Sequence, residues 1–201
     1  MMNKIIEEVS LYIKNLFKMQ LSDSFLYHNL QHTIDVVNIV DEMADNTGLN
    51  NEEKELLSIA AWFHDSGYSR SIENHEEVSA EIAETYLKER NFPPARIDTI
   101  KRMILSTRIP QNPQNKPEEI MCDADLAYIG SEVLMEKIEL LREEWKRTNN
   151  KSYTDYEWLK LSIDFIEANT FHTDYARKKF RETRKINLNK LKQRAAELKQ
   201  S

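Results

Sequence analysis

All five prolines of this chain (Pro93, Pro94, Pro110, Pro113 and Pro117) fall between residues 93 and 117 of 201, so the rest runs almost without backbone breakers. Glycine is equally sparse. Only Gly48, Gly67 and Gly130 occur, where average usage of ~7% would give about 14. A chain with so little punctuation folds through long helices. Ile5, Ile6, Val9, Ile13, Leu16 and Phe17 recur at helical spacing over residues 3–19, and Leu30, Ile34, Val37, Val40 and Met43 over 29–45. A third helix is expected from Asn51 to Asp65, with Gly67 as its left-handed cap. Ser79–Arg90 continues the pattern, Pro93-Pro94 opens another helix through Ile104, and RIPQNPQNKP (108–117) reads as a polar loop. Helices follow over 118–128, 131–147, 153–170 and 173–199, and no alternating run reads as a strand. The expected class is all-α.

The same punctuation excludes several functions. Three isolated glycines build neither a phosphate-cradling P-loop nor a dinucleotide turn. One cysteine, Cys122, makes no internal disulfide and no cysteine zinc cage. Lys4, Glu7 and Glu8 interrupt the first apolar stretch, so it does not read as a signal peptide. No run of about 18 apolar residues is present to cross a bilayer. A reduced, cytoplasmic protein without a membrane partner is expected.

The net charge of −6 is unevenly spread. Residues 173–201 carry ten Lys or Arg against three Asp or Glu, a net +7, which leaves −13 on the first 172. The tail has few aromatics to stack on bases, so it reads as a solvated helix face and no nucleic-acid partner is expected. Its sparse apolar positions (Phe180, Ile186, Leu191, Leu198) suit an arm packed on the domain or on a partner, which leaves room for an oligomer. The expected division is a helical domain over 1–172 and a basic C-terminal helix over 173–201.

Four of the five histidines, His28, His32, His64 and His75, lie within 48 consecutive positions. His28 and His32 are four apart and share a helix face. His64 and Asp65 end the apolar run IAAWFHD, where both reach a point beyond the last turn. Asp123 and Asp125 are two apart, so a helix turns only one of them toward a shared site. Such groups in apolar surroundings need partners. Local hydrogen bonds are one resolution and a divalent cation is the other. Two imidazoles and two carboxylates suit Mn, Fe, Co, Ni or Zn better than Ca. The residues alone carry the argument to a candidate N/O metal site.

The order H…HD…D, here His32, His64-Asp65 and Asp125, resembles that of the HD-domain metal-dependent phosphohydrolases. YHNLQHTIDVV is similar to a helix of many HD proteins and of cyclic-nucleotide phosphodiesterases. HDSGY followed by NHEEVSAEIA, and ILSTRIPQNP with CDADLAYIG, resemble segments of small bacterial members. The resemblance implies an HD-type helical bundle in which His32, His64, Asp65 and Asp125 hold one divalent transition metal, with Mg as an alternative. It also implies that Asp125 begins a helix continuing through Leu126 and Ile129, and that Asp123 supports the site without touching the metal. His28 matches the histidine that protonates the leaving oxygen in the phosphodiesterases. His75 matches a residue that binds a second metal in some members and phosphate in others. Binuclear members carry a further histidine where this chain reads Leu105-Ser106-Thr107-Arg108, and His172 lies outside the motif. One metal is therefore expected, with His75 on the substrate side and Arg70 and Arg108 as candidate phosphate ligands. The implied activity is hydrolysis of a small phosphoester, such as a nucleotide. A diiron oxygenase and a non-catalytic nucleotide-binding regulatory module are the alternatives.

Overall fold

The computed structural model describes residues 4–200, so residues 1–3 and 201 of the two expected ranges lie outside the described residues. Among these residues all regular structure is helical: α1 (Lys4–Gln20), α2 (Leu30–Asn46), α3 (Asn51–Phe63), α4 (His75–Lys88), α5 (Pro94–Ser106), α6 (Lys116–Asp125), α7 (Leu134–Asn149), α8 (Asp155–Ala168) and α9 (Asp174–Gln200). Two 3₁₀ turns, Ser66–Ser69 and Ala127–Gly130, interrupt the series. No helix among the described residues is long and apolar enough to cross a membrane.

The chain divides into two compact units. One comprises the chain through Asp23 together with His28–Asp125, and the other comprises Ser24–Tyr27 with the chain from Leu126 onward. In the first unit α3 is the central element. Its residues Leu56–Phe63 are all buried, and it packs on α1, α2, α4, α5 and α6. A helix that is apolar on every face is stable only when surrounded in this way. Asn50 caps its start, accepting hydrogen bonds from the Glu52 and Glu53 N–H groups while the Glu53 carboxylate returns to the Asn50 N–H. At the end of α2, Gly48 adopts φ +75, the backbone conformation that glycine tolerates best.

The second unit holds α7, α8 and α9. The Trp158 indole N–H of α8 donates to the Ile138 carbonyl of α7 at 3.1 Å. Along α9, Ala176, Phe180 and Leu191 are buried, and the helix packs on α8 and on the Ala127–Gly130 turn. The Asn187 carboxamide donates to the carbonyls of Ile129 at 3.2 Å and Ser131 at 2.7 Å. α9 thus packs on α8 within this unit.

Three local expectations are corrected. Gly67 is not a left-handed cap; it sits inside the Ser66–Ser69 turn, where a Cβ would overlap the His75 carbonyl. Glycine is required there by close approach of two backbones. The fourth helix starts at His75 rather than Ser79, since Asn74 turns left-handed (φ 55) and the helix winds up directly from it. Asp125 ends α6 instead of opening a helix, and the chain continues as the 3₁₀ turn Ala127–Gly130.

Candidate metal centre

Three helix termini converge in the first unit. Asn29 is the N-cap of α2, its side-chain oxygen accepting from the N–H groups of Gln31 at 2.9 Å and His32 at 3.2 Å. This cap fixes the first turn of α2 and with it the direction of the His32 ring. At the other end of α3, His64 is the C-cap residue, and its Nδ1–H donates to the Ala61 carbonyl at 2.8 Å. A carbonyl accepts only, so that bond fixes the tautomer and leaves the Nε2 lone pair facing inward. Asp65 follows directly, and Asp125 closes α6.

The donor atoms meet at one point. His32 Nε2 is 3.2 Å from Asp125 Oδ1, 3.3 Å from Asp65 Oδ2 and 3.4 Å from His64 Nε2. His64 Nε2 lies 3.3 Å from Asp65 Oδ2 and 3.7 Å from Asp125 Oδ1. A cation about 2.0–2.1 Å from each donor would set neighbouring donors roughly 3.0–3.4 Å apart; the His32 spacings and the His64–Asp65 spacing match this, and the His64–Asp125 spacing of 3.7 Å is wider. The ligand atoms of His32, His64 and Asp125 all lie within 4.8 Å of one another, the spacing of a group able to hold a metal ion. Asp65 Oδ2 is buried and has no hydrogen-bond donor, although it faces two imidazole nitrogens. A buried carboxylate oxygen in that position is expensive unless a positive charge meets it. The His64 side chain is fully buried and those of His32 and Asp65 are 5% exposed, whereas that of Asp125 is 21% exposed, so the group opens beside Asp125.

Residues 29–127 match the HD domain family, and every member of this cluster falls within that range. The chain carries an HD domain. It is similar to an uncharacterized protein of Clostridium beijerinckii, 33% identical over 102 residues, which is 48% of this chain and 63% of that protein. The match therefore leaves more than a third of that relative uncovered. The crystal structure of a predicted HD superfamily hydrolase from an uncultured Thermotogales bacterium shares the fold, with a TM-score of 0.65 over 96% of this chain and 92% of that one, at 20% identity.

Electrostatics inside the HD domain follow from the crowding. Burial would depress the His32 pKa, but the Asp125 and Asp65 carboxylates beside it raise it to about 9. His64 is likewise depressed by burial and raised more strongly by the same two carboxylates. Burial pushes Asp65 up, yet the His64 and His32 imidazoles hold its carboxyl well below the usual range. The cluster is thus set to keep the Asp65 carboxylate ionised and to trade imidazole protons for another cation.

A second ring of side chains borders the cluster. His75, the first residue of α4, places Nε2 3.7 Å from Asp65 Oδ1 and 3.6 Å from Glu76 Oε1. Glu76 is buried, and its other oxygen lies 3.8 Å from Arg108 Nε. Arg108 also pairs with Glu77. His28 approaches His32 edge-on with ring centroids 5.9 Å apart. Between His28 and His75 the Tyr68 ring stacks on both. Of the other residues singled out from sequence, Arg70 is exposed, and no ion pair among the described residues holds its guanidinium. Asp123 is buried two residues before Asp125 in α6. Where a further histidine would stand, the Ser106 and Thr107 hydroxyls donate to the Met103 and Ile104 carbonyls of their own helix. Cys122 is buried and its thiol is pushed up to about 12 by burial, so it supplies no thiolate.

Tyr68 and Glu76 were not singled out from sequence. Tyr68 stands in HDSGY and Glu76 in NHEE, both inside segments already marked, but neither residue type signals a stack or a buried ion pair by itself. Beside the end of α5 lies a cavity of about 400 Å³ lined by Arg102, Leu105, Arg108, Pro110, Asn112 and Asn115.

Proposed function

We propose that the HD domain binds one divalent transition metal through His32, His64, Asp65 and Asp125 and hydrolyses a small phosphoester, with nucleotides the leading class. The observation that carries this reading is the convergence of these four side chains, with Asp65 Oδ2 buried and without a hydrogen-bond donor. A bound cation would lower the pKa of its water toward neutrality and polarise a phosphoryl oxygen. His64, held by the Ala61 carbonyl, keeps its donor atom on the cluster without needing to reorient.

Overall, water's oxygen bonds to phosphorus and the ester P–O bond breaks with its electron pair on the alcohol oxygen. One proton of the water is released and the alcohol oxygen gains one. His28 and His75 border the cluster and are the side chains placed to deliver that second proton. Arg108 is tied to Glu76 and Glu77 on one side and lines the 400 Å³ cavity on the other, which supports a role in seating the phosphate or its organic group. Arg70, with no ion pair among the described residues, is the other guanidinium available to a phosphate. The diiron alternative is disfavoured because the chain reads Ser106-Thr107 where a further histidine would be needed, and those hydroxyls donate to carbonyls of their own helix. The test is a panel of phosphomonoesters and phosphodiesters assayed with metal-stripped protein reloaded with Mn, Co, Ni or Zn. Turnover that requires both the metal and His64 supports the reading; metal-replete protein inactive on every ester refutes it.

A further inference from the structure

Tyr68 presents its ring to two imidazoles at once. Its centroid is 4.4 Å from that of His28 with 27° between the planes, and 4.0 Å from that of His75 with 19°. The His28 and His75 centroids are 6.3 Å apart. Imidazole rings on single χ1 and χ2 torsions swing freely unless something fixes their plane, and a near-parallel ring at this distance does so for each of them.

Tyr68 is itself rigidly placed. It is the third residue of the Ser66–Ser69 turn, and its N–H donates to the Asp65 carbonyl at 3.1 Å. The neighbouring Gly67 N–H donates to Ser79 Oγ at 2.7 Å, and Gly67 packs against the His75 carbonyl. One short turn therefore joins the carboxylate of the cluster, the stacking ring and the start of α4 that carries His75. Side chains locked by packing on such elements hold reacting groups to the tolerance that catalysis needs.

We propose that Tyr68 is a positioning residue, whose ring orients His28 and His75 toward the ester oxygen of a substrate bound at the cluster. This rests on the phosphoesterase reading above. The contact is through the π face, so the ring and not the hydroxyl carries the effect: Tyr68→Phe keeps it and Tyr68→Leu removes it. Tyr68→Met is a second ring-free variant that fills irregular space readily.

The experiment compares these variants with the wild type at equal metal content, on an alkyl phosphate and on p-nitrophenyl phosphate. Loss of the stack should lower kcat on the alkyl ester about 10–100-fold, the usual cost of a small misplacement. KM and p-nitrophenyl turnover should change little, and Phe should restore the wild-type values. In metal-free protein, the His28 and His75 ring protons should lose an upfield ring-current shift in the Leu and Met variants and retain it in Phe. Equal loss in Phe and Leu, an unaltered ratio between the two esters, or unmoved ring protons overturns the role of Tyr68 while leaving the phosphoesterase reading intact. Wild-type protein that carries metal and cleaves no ester of the full phosphomonoester and phosphodiester panel overturns both.

Discussion

Lowering the pH should weaken metal binding because a proton occupies the lone pair that the metal needs. His32 Nε2 lies 3.3 Å from Asp65 Oδ2 and 3.2 Å from Asp125 Oδ1, and these carboxylates raise its pKa to about 9 against the burial that depresses it. An unfolded histidine titrates near 6.5. At pH 7, roughly one in a hundred metal-free molecules has Nε2 unprotonated, so the apparent affinity should be about 100-fold weaker than above pH 9. Each pH unit below 9 should cost at least about tenfold, with about one proton released from His32 per metal bound at pH 7 and a further contribution from His64, whose pKa is also raised. Calorimetric titration with Mn²⁺ at pH 6, 7 and 8, in two buffers of different ionisation enthalpy, reads both quantities. The metal-free fold should show the opposite trend. Because the folded pKa lies above the unfolded one, this histidine stabilises the fold fully below about pH 6.5, and that contribution, on the order of 3 kcal/mol, is lost as the pH rises through about 9. A metal affinity independent of pH, with no proton released, would mean that no proton occupies His32 Nε2 in the metal-free site.

Two substitutions test neighbouring parts of the account. Asp125→Asn should abolish metal binding, while Asp123→Asn should weaken it by at most about 10–100-fold; metal analysis after dialysis against a chelator distinguishes them, and equal loss in both contradicts the assignment. Gly67→Ala places a Cβ on the His75 carbonyl, so urea unfolding should show a loss of about 1–3 kcal/mol, the cost of overpacking, and an unchanged midpoint would show that the two backbones have room to separate.

The helices were legible because their apolar spacing is a local signal. Their N-caps, Asn29 and Asn50, became evident only in the folded chain, where each accepts from the first turn of the helix that follows. The early start of α4 was hidden because SIENHEE contains no apolar repeat, and its start depends on Asn74 turning left-handed. Gly67 carried the signature of a cap, yet its reason for being glycine is a contact with His75, eight positions on, that only the folded chain creates. The end of α6 at Asp125 was missed for a related reason: CDADLAYIG is helical in pattern throughout, and the 3₁₀ turn after it accommodates Phe180 against Gly130. The candidate site was more legible than its surroundings. His32, His64, Asp65 and one of Asp123 and Asp125 stand out as polar residues in apolar segments, and the choice of Asp125 comes from the resemblance in the order H…HD…D. The Tyr68 stack and the Glu76 pairing with His75 and Arg108 are tertiary contacts between ordinary residue types, and nothing in a linear pattern marks them.

The most direct measurement is hydrolysis by protein of known metal content. Metal-stripped protein should release no phosphate or alcohol from any ester in a mixed panel. Reloading with one equivalent of a divalent transition metal should restore turnover of at least one small phosphoester, and His64→Ala should neither retain the metal nor turn over. Protein that holds about one metal per chain at His32, His64, Asp65 and Asp125, yet cleaves no phosphoester, would contradict the central claim.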